Sequence, residues 1–306
     1  MKKALIIGTG SISQKHLSIL SLLNYEIYVY SKNNNKSSTK NSNIKKLSSL
    51  NNLKIFEFAI IANKTSEHLS VLKKLVSQKI HLYCEKPIFH KKFDFKSLRN
   101  KIKKSKIVFH NGYQLQNDDK IRYIKKKLKN INARSFQIAV GHDFTKWRKQ
   151  GVSKNSYFSD YKKGGGVIFE LVHEINLISL LFGKIKKINT FKLKSKKYKC
   201  EDIATSIITT KKNIIGTLYQ DMYSNVFFRE FRIVTNKGYF LIDLVKNRVI
   251  ENEKIKQFKN HNKQLDLIKR NIMLFLKRIQ IKDYSLKHYD ELVFDLNICL
   301  KMHDKQ

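Results

Sequence analysis

Ala4-Leu5-Ile6-Ile7-Gly8-Thr9-Gly10-Ser11-Ile12-Ser13 joins a short apolar run to a glycine turn, and a helical pattern follows it to Leu22. A continuous apolar run that stops at glycine is the mark of a strand buried on both faces of a parallel sheet. Gly8 allows the tight turn, and Gly10 lets the backbone approach a pyrophosphate at the positive end of the next helix. Thr9, Ser11 and Ile12 complete the turn, and Ser13 stands where a third glycine is usual. A glycine pattern alone is weak evidence; the strand before it and the helix after it make it a nucleotide-site signal.

Working outward, residues 25–30 read as a second strand that ends in Ser31-Lys32. An NAD site usually places an acid there for the ribose 2′-hydroxyl. A hydroxyl and an ammonium suit a 2′-phosphate better, so the reading leans to NADP over NAD. Lysine is so abundant here that Lys32 as ordinary surface stays open. Residues 31–53 are rich in Asn, Ser and Lys and read as a mobile surface segment with at most a short helix. Residues 56–62 form a third buried strand, followed by Asn63-Lys64-Thr65-Ser66 and a helix to Gln78. Thr65 or Ser66 can cap that helix, and both a plain cap and a cofactor contact remain open for Thr65.

Residues 80–84 make the fourth strand and 106–110 the fifth, so Glu85-Lys86-Pro87 falls on the same sheet edge as Gly8 and Gly10. Pro87 is the chain's only proline. It fixes its own φ and pushes Lys86 toward extended geometry, which aims an amine from a stiff turn. A surface turn with two solvated charges is the alternative when the tripeptide is taken alone.

The chain has 306 residues, 42% of them hydrophobic, enough for a sizeable core and better matched by two domains than one. A formal charge of +38 raises a nucleic-acid or anionic-membrane reading. Only nine of the 62 basic residues are Arg and no basic-aromatic module accompanies them, so the excess reads as a solvated Lys surface with no specific nucleic-acid partner. Cys84, Cys200 and Cys299 are too irregularly spaced for a disulfide framework or a metal site. The opening apolar run stops at Gly8, short of a signal sequence, and the run 167–182 is broken by Glu170, His173 and Glu174. No membrane span is expected, and the protein reads as cytoplasmic.

The glycine turn, Ala62-Asn63 followed by a helix carrying His68, and Glu85-Lys86-Pro87 together resemble the Gfo/Idh/MocA family (glucose-fructose oxidoreductase, inositol dehydrogenase, rhizopine catabolism). A second signature supports the resemblance. Gly164-Gly165-Gly166-Val167-Ile168-Phe169-Glu170-Leu171-Val172-His173-Glu174-Ile175-Asn176 is similar to the family's glycine triplet followed by an acid, a histidine and usually an aspartate. The resemblance implies an α/β protein: an N-terminal Rossmann dinucleotide-binding domain (1–117), then a C-terminal α/β domain with a large open, mostly antiparallel sheet (118–306). The second domain would cover the nicotinamide, contact substrate and serve a possible homo-oligomer. Closely spaced strand patterns at 132–141, 186–194, 203–210, 213–221, 229–235 and 238–244 agree, with helices from about 119 and near 166–182, 264–281 and 286–302.

The resemblance further implies Gly8, Thr9, Gly10, Ser11, Ile12, Ser31, Lys32, Ala62, Asn63, Thr65, His68, Glu85 and Lys86 as cofactor contacts, with Glu85 on the nicotinamide ribose. Hydride transfer to or from a carbinol carbon needs a proton carrier, and Lys86 is the first candidate, provided its pKa is lowered. His173 is the second. On one helix it would share a face with Glu170, three residues earlier, so the carboxylate could orient the imidazole. A histidine satisfied in a helix interface, with Glu170 and Glu174 on a solvated face, is the bland alternative. Tyr113, Trp147, Arg148 and Asn176 are substrate candidates; an aromatic plane beside an Arg suits a sugar or phosphate, and core packing of Trp147 suits it equally.

Three departures stand out. Glu170 lies three rather than four residues before the histidine, a form associated with a branch acting on bacterial surface-glycan sugars. Asn176 replaces an acid, and Gln116 falls where the family often has Arg. The leading function is NAD(P)-dependent oxidation or reduction of a sugar or nucleotide sugar. A glycosidase or lyase with transient redox chemistry and no net cofactor turnover is the alternative, and a non-enzymatic binding protein the third.

Overall fold

The computed structural model describes residues 1–32, 44–146, 157–194, 198–259 and 264–304. Its elements begin β1 (Lys3–Ile7), α1 (Ser11–Leu22), β2 (Glu26–Tyr30), β3 (Ile44–Leu47), β4 (Phe58–Ile61), α2 (Thr65–Ser77), β5 (His81–Cys84), α3 (Phe95–Ser105) and β6 (Phe109–Asn111). Then come α4 (Asp119–Lys127), β7 (Ala133–Gly141), α5 (Val167–Glu170), α6 (His173–Phe182), β8 (Ile185–Leu193), β9 (Ile203–Thr210) and β10 (Ile215–Asp221). The chain closes with β11 (Phe228–Thr235), β12 (Gly238–Asp243), β13 (Arg248–Glu251), β14 (Lys254–Gln257), α7 (Gln264–Gln280) and α8 (Lys287–His303). Two compact units result: Met1–Gln114 with Gln264–Phe294, and Leu115–Lys263 with Asp295–Gln306.

The first unit is built on a parallel sheet of order β3-β2-β1-β4-β5-β6. β4 is buried along its whole length, as an unalternating Phe-Ala-Ile-Ile run requires of a strand covered on both faces. One face is covered by α1 and α7: Ala4, Ile6, Leu20, Phe58, Ile272 and Phe275 share a core, with the Phe275 ring edge-on to Phe58 at 5.3 Å. Polar contacts add direction to that packing. Asn271 of α7 donates to the Tyr83 hydroxyl (2.9 Å) and the Asn111 carbonyl (2.8 Å), and Arg278 donates to the Phe109 carbonyl (2.6 Å). Strand order reverses at β1, with β2 on one side and β4 on the other, so the crevice beyond their carboxyl ends is the switch point where such sheets bind ligands.

The second unit carries an eight-stranded sheet, β14-β13-β12-β11-β7-β10-β9-β8, in which β7 and β10 are parallel and every other pairing is antiparallel. Alternation is strict at its centre. Phe136, Ile138, Ala204, Ile208 and Leu218 are buried, while Ile207 and Thr217 between them face out. α6 covers the buried face, stacking Phe182 on Phe136 at 4.4 Å. No single helix among the described residues is long and apolar enough to cross a membrane.

Four sequence expectations are corrected. The 31–53 segment contains β3, a parallel edge strand whose pairing to β2 comes from outside its own pattern. β13 and β14 extend the second sheet by a hairpin that the strand patterns omitted. The helix expected over 166–182 is two helices, α5 and α6, interrupted at Leu171-Val172, with the segment Tyr161–Glu170 bent by 47° from α6. Glu170 and His173 therefore do not share one continuous helix face.

Candidate functional site

At the carboxyl edge of the first sheet, Gly8 takes φ +112°, and its N–H donates to the Tyr30 carbonyl at 2.8 Å. A Cβ there would lie 2.8 Å from the Ala62 carbonyl and the Asn63 backbone, so the β1 and β4 ends approach as only glycine allows. Gly10 differs. It is the N-cap of α1 with ordinary extended geometry, and a Cβ on it would meet nothing within 4 Å. No side chain caps α1 and no acid stands in its first turn. The first turn of α1 thus has no side-chain cap and open room beside Gly10, as a pyrophosphate site needs. Ser13 donates its hydroxyl to the Ala62 carbonyl (2.9 Å), so the residue at the third glycine position ties helix to strand. Thr9 and Ile12 are half-buried and Ser11 is exposed; Ser31 and exposed Lys32 follow the end of β2 on the same edge.

Asn63 donates to Glu67 (3.1 Å), while its Oδ1 is buried with no partner among the described residues. An orphaned acceptor beside this turn fits a bound group that brings a donor. Thr65 begins α2 inside the helix, buried, and α2 has no side-chain cap, so the capping expectation does not hold. His68 is committed to backbone: Nδ1 lies 2.9 Å from the Pro87 carbonyl and Nε2 3.1 Å from the Asn63 carbonyl. Burial pushes its pKa down, opposed by those two carbonyls. Both ring nitrogens face backbone carbonyls, between the Asn63 loop and the Pro87 turn, and a neutral ring donates to one of the two at a time.

The turn itself follows β5, with a cis bond between Lys86 and Pro87. Glu85 is buried, and His16 Nε2 from α1 meets its Oε1 at 2.7 Å. Gly112 makes the room on the other side, since a Cβ there would come within 2.5 Å of Glu85 Oε2. Lys86 is half-buried beside it. Tyr113 is fully buried one residue beyond Gly112. The first unit therefore gathers Gly8, Gly10, Asn63, Glu85 and Lys86 at one sheet edge.

In the second unit, α5 ends at half-buried Glu170 and α6 begins at buried His173. Glu174 is not on a solvated face. It is fully buried, 2.8 Å from Arg229 Nε of β11. Asn176 is engaged at both ends of its amide: Gln116 donates to its Oδ1 (2.6 Å) and its Nδ2 donates to Asp295 (2.9 Å). Two departures from the family pattern thus bond to each other, and the Asn176 amide is tied to the buried Asp295 carboxylate. Trp147 and Arg148 lie outside the described residues.

Sequence reasoning missed His16, whose partner is 69 residues away, and Glu201 and Gln220, buried polar residues that hold α5. A buried-face histidine on α1 was a signal for the first. Glu201-Asp202 before a strand carried none.

A family model described as an oxidoreductase family with an NAD-binding Rossmann fold matches residues 2–113, and one for the Gfo/Idh/MocA C-terminal domain matches residues 133–241. No curated protein sequence matches the chain. Among solved structures, an oxidoreductase from Thermotoga maritima aligns with a TM-score of 0.85 at 17% identity, over 99% of this chain and 96% of its own. Levoglucosan dehydrogenase in complex with NADH aligns at 0.84 and 12% identity, over 98% and 96%. UDP-N-acetylglucosamine 3-dehydrogenase from Acidithiobacillus ferrooxidans aligns at 0.83 and 16% identity, over 98% and 96%. At these identities the likeness is one of fold.

Proposed function

The chain belongs to the Gfo/Idh/MocA oxidoreductase family, and we propose that it transfers a hydride between NADP or NAD and a hydroxyl or carbonyl carbon of a sugar or nucleotide sugar. The observation that carries this reading is the shared sheet edge, where the open cradle over Gly10 stands with Glu85 and Lys86. The substrate class is motivated by two proteins of the same fold that are named for sugar dehydrogenation. A role in bacterial surface-glycan synthesis is the finer form of the proposal, resting on the Glu170-to-His173 spacing.

The nicotinamide, when bound, accepts or gives the hydride. The chain's own residues bind and handle protons. Gly8, Thr9, Gly10, Ser11 and Ile12 would receive the pyrophosphate on the α1 amides. Ser31 and Lys32 would receive a ribose 2′-phosphate, hence the lean to NADP. Ala62, Asn63 and Thr65 would line the dinucleotide, with Asn63 Oδ1 accepting from it, and His68 acts behind them by holding that loop. Glu85, steadied by His16, would accept from the nicotinamide ribose hydroxyls. Lys86 would take the hydroxyl proton during oxidation and return it during reduction. His173, with Glu170, is the second proton-handling candidate. Tyr113 and Asn176 complete the proposed substrate contacts, Asn176 through the Gln116 bond rather than by a free amide.

Lys86→Met tests the assignment. Turnover on a nucleotide-sugar panel should fall by about 10²–10⁴-fold, while binding of the reduced dinucleotide stays nearly unchanged. Retained turnover would remove Lys86 from the chemistry. Sugar conversion with no net change in nicotinamide absorbance would move the reading to the redox-neutral alternative.

A further inference from the structure

The glycine triplet is used on the protein itself. A Cβ on Gly165 would collide with the Phe158 backbone, and one on Gly166, at φ +104°, would collide with the Glu201 carboxylate. That carboxylate also accepts from the Ile168 N–H (3.2 Å), and the Glu201 carbonyl accepts from the Val167 N–H (3.1 Å). Just past the other end of α5, buried Gln220 of β10 donates to the Leu171 carbonyl (2.9 Å), which the Glu174 N–H meets only at 3.4 Å. A four-residue helix has too few internal bonds to hold its own place. Its fully buried Val167, Ile168 and Phe169 anchor it in the core, and these two buried side chains add directed polar bonds at its ends.

We propose that Glu201 is a positioning residue of the candidate site: by filling the space over Gly166 and binding the Ile168 amide, it sets the start of α5. Through α5 it sets the break that carries Glu170 and His173. The proposal rests on the catalytic part assigned above to His173 and Glu170. His303 of α8 faces Glu201 with Nε2 at 3.5 Å, Lys192 of β8 and Asp202 act on it electrostatically, and Glu201 in turn acts on Cys200 and on Tyr161, whose ring packs on His303. Burial raises the Glu201 pKa to about 7 and lowers that of His303 to about 3, so between those values the two meet as neutral groups. Above the upper value Glu201 becomes an anion at the start of α5, which strengthens its hold on the Ile168 N–H.

The test compares wild type, Glu201→Ala and Glu201→Gln by amide hydrogen exchange without substrate and by steady-state kinetics. Glu201→Ala should speed exchange locally across residues 166–174, leaving the β9–β10 amides protected. It should lower kcat by about 10- to 100-fold with the KM for the dinucleotide unchanged. Glu201→Gln retains an acceptor for Ile168. It should recover most of both losses and abolish the change in exchange that wild type shows through pH about 7. Unaltered exchange at 166–174 in Glu201→Ala, or loss of protection throughout the unit with no recovery in Glu201→Gln, would overturn the proposal. Full turnover in His173→Ala would overturn the catalytic reading alone, because the exchange result is obtained without chemistry.

Discussion

His16 and Glu85 lie at 0% and 5% exposure and meet at 2.7 Å, so the buried carboxylate has a hydrogen-bond partner. Gly112 is glycine because Glu85 occupies the space beside it. Glu201 is the opposite case, a buried carboxylate without a strong cationic partner. Its native pKa of about 7 exceeds the ordinary 4.5, so the folded state binds the proton more tightly than the unfolded chain. The associated stability is fully present below pH 4.5 and lost as pH rises through about 7. Glu201→Gln should therefore match wild type near pH 4.5 and exceed it increasingly toward pH 7, by a limit on the order of 3 kcal/mol. Urea denaturation across that range checks it, and a constant difference at all pH values would contradict it. Gly8, Gly10, Glu85 and Lys86 were legible in the sequence because each sits in a local pattern. His16, Glu201 and the Gln116–Asn176–Asp295 chain were not, since their partners lie 33 to 119 residues away.

Elements were legible where their own periodicity decided them. β1 and β4 are unbroken apolar runs, and β9 alternates along its length, so all three stood out. β3, Ile-Lys-Lys-Leu, has no period of two, and β14, Lys-Ile-Lys-Gln, is exposed throughout; pairing with a neighbour makes each a strand. The bend between α5 and α6 was hidden because Leu171 and Val172 at the break are apolar like their neighbours, while the amide that donates to the Leu171 carbonyl comes from β10. α7 showed an amphipathic face without revealing its destination, the first sheet. There, Phe275 packs on Phe58 and Tyr83. Phe275→Ala should cost about 3–5 kcal/mol of stability, measured by urea denaturation of the first unit's transition. A cost below about 1 kcal/mol would mean that α7 contributes little to that core.

For the whole molecule, the charge of +38 remains a property of its surface, carried mainly by Lys. The outward face of the eight-stranded sheet exposes Ile207, Ile215 and Val234 among polar residues, which motivates the proposal of a homo-oligomer through that face. Light scattering should give a multiple of 36.1 kDa, and Ile207→Glu should shift it toward one chain; a monomeric wild type would end the proposal. That a parallel sheet is followed by a mostly antiparallel one was legible from strand spacing and the family resemblance. The return of residues 264–294 to the first unit was not, because a helix pattern does not say which sheet it covers. The functional reading of the first unit stands on the dinucleotide cradle at Gly10. Since a Cβ there meets no protein atom and φ is −72°, Gly10→Ala should fold with a stability change within about 1 kcal/mol. The deciding measurement is fluorescence titration of wild type and Gly10→Ala with NADPH and NADH. Wild type should bind, more tightly to NADPH, and folded Gly10→Ala should lose at least about tenfold in affinity. Absence of binding by wild type, or equal binding by the variant, would contradict that reading.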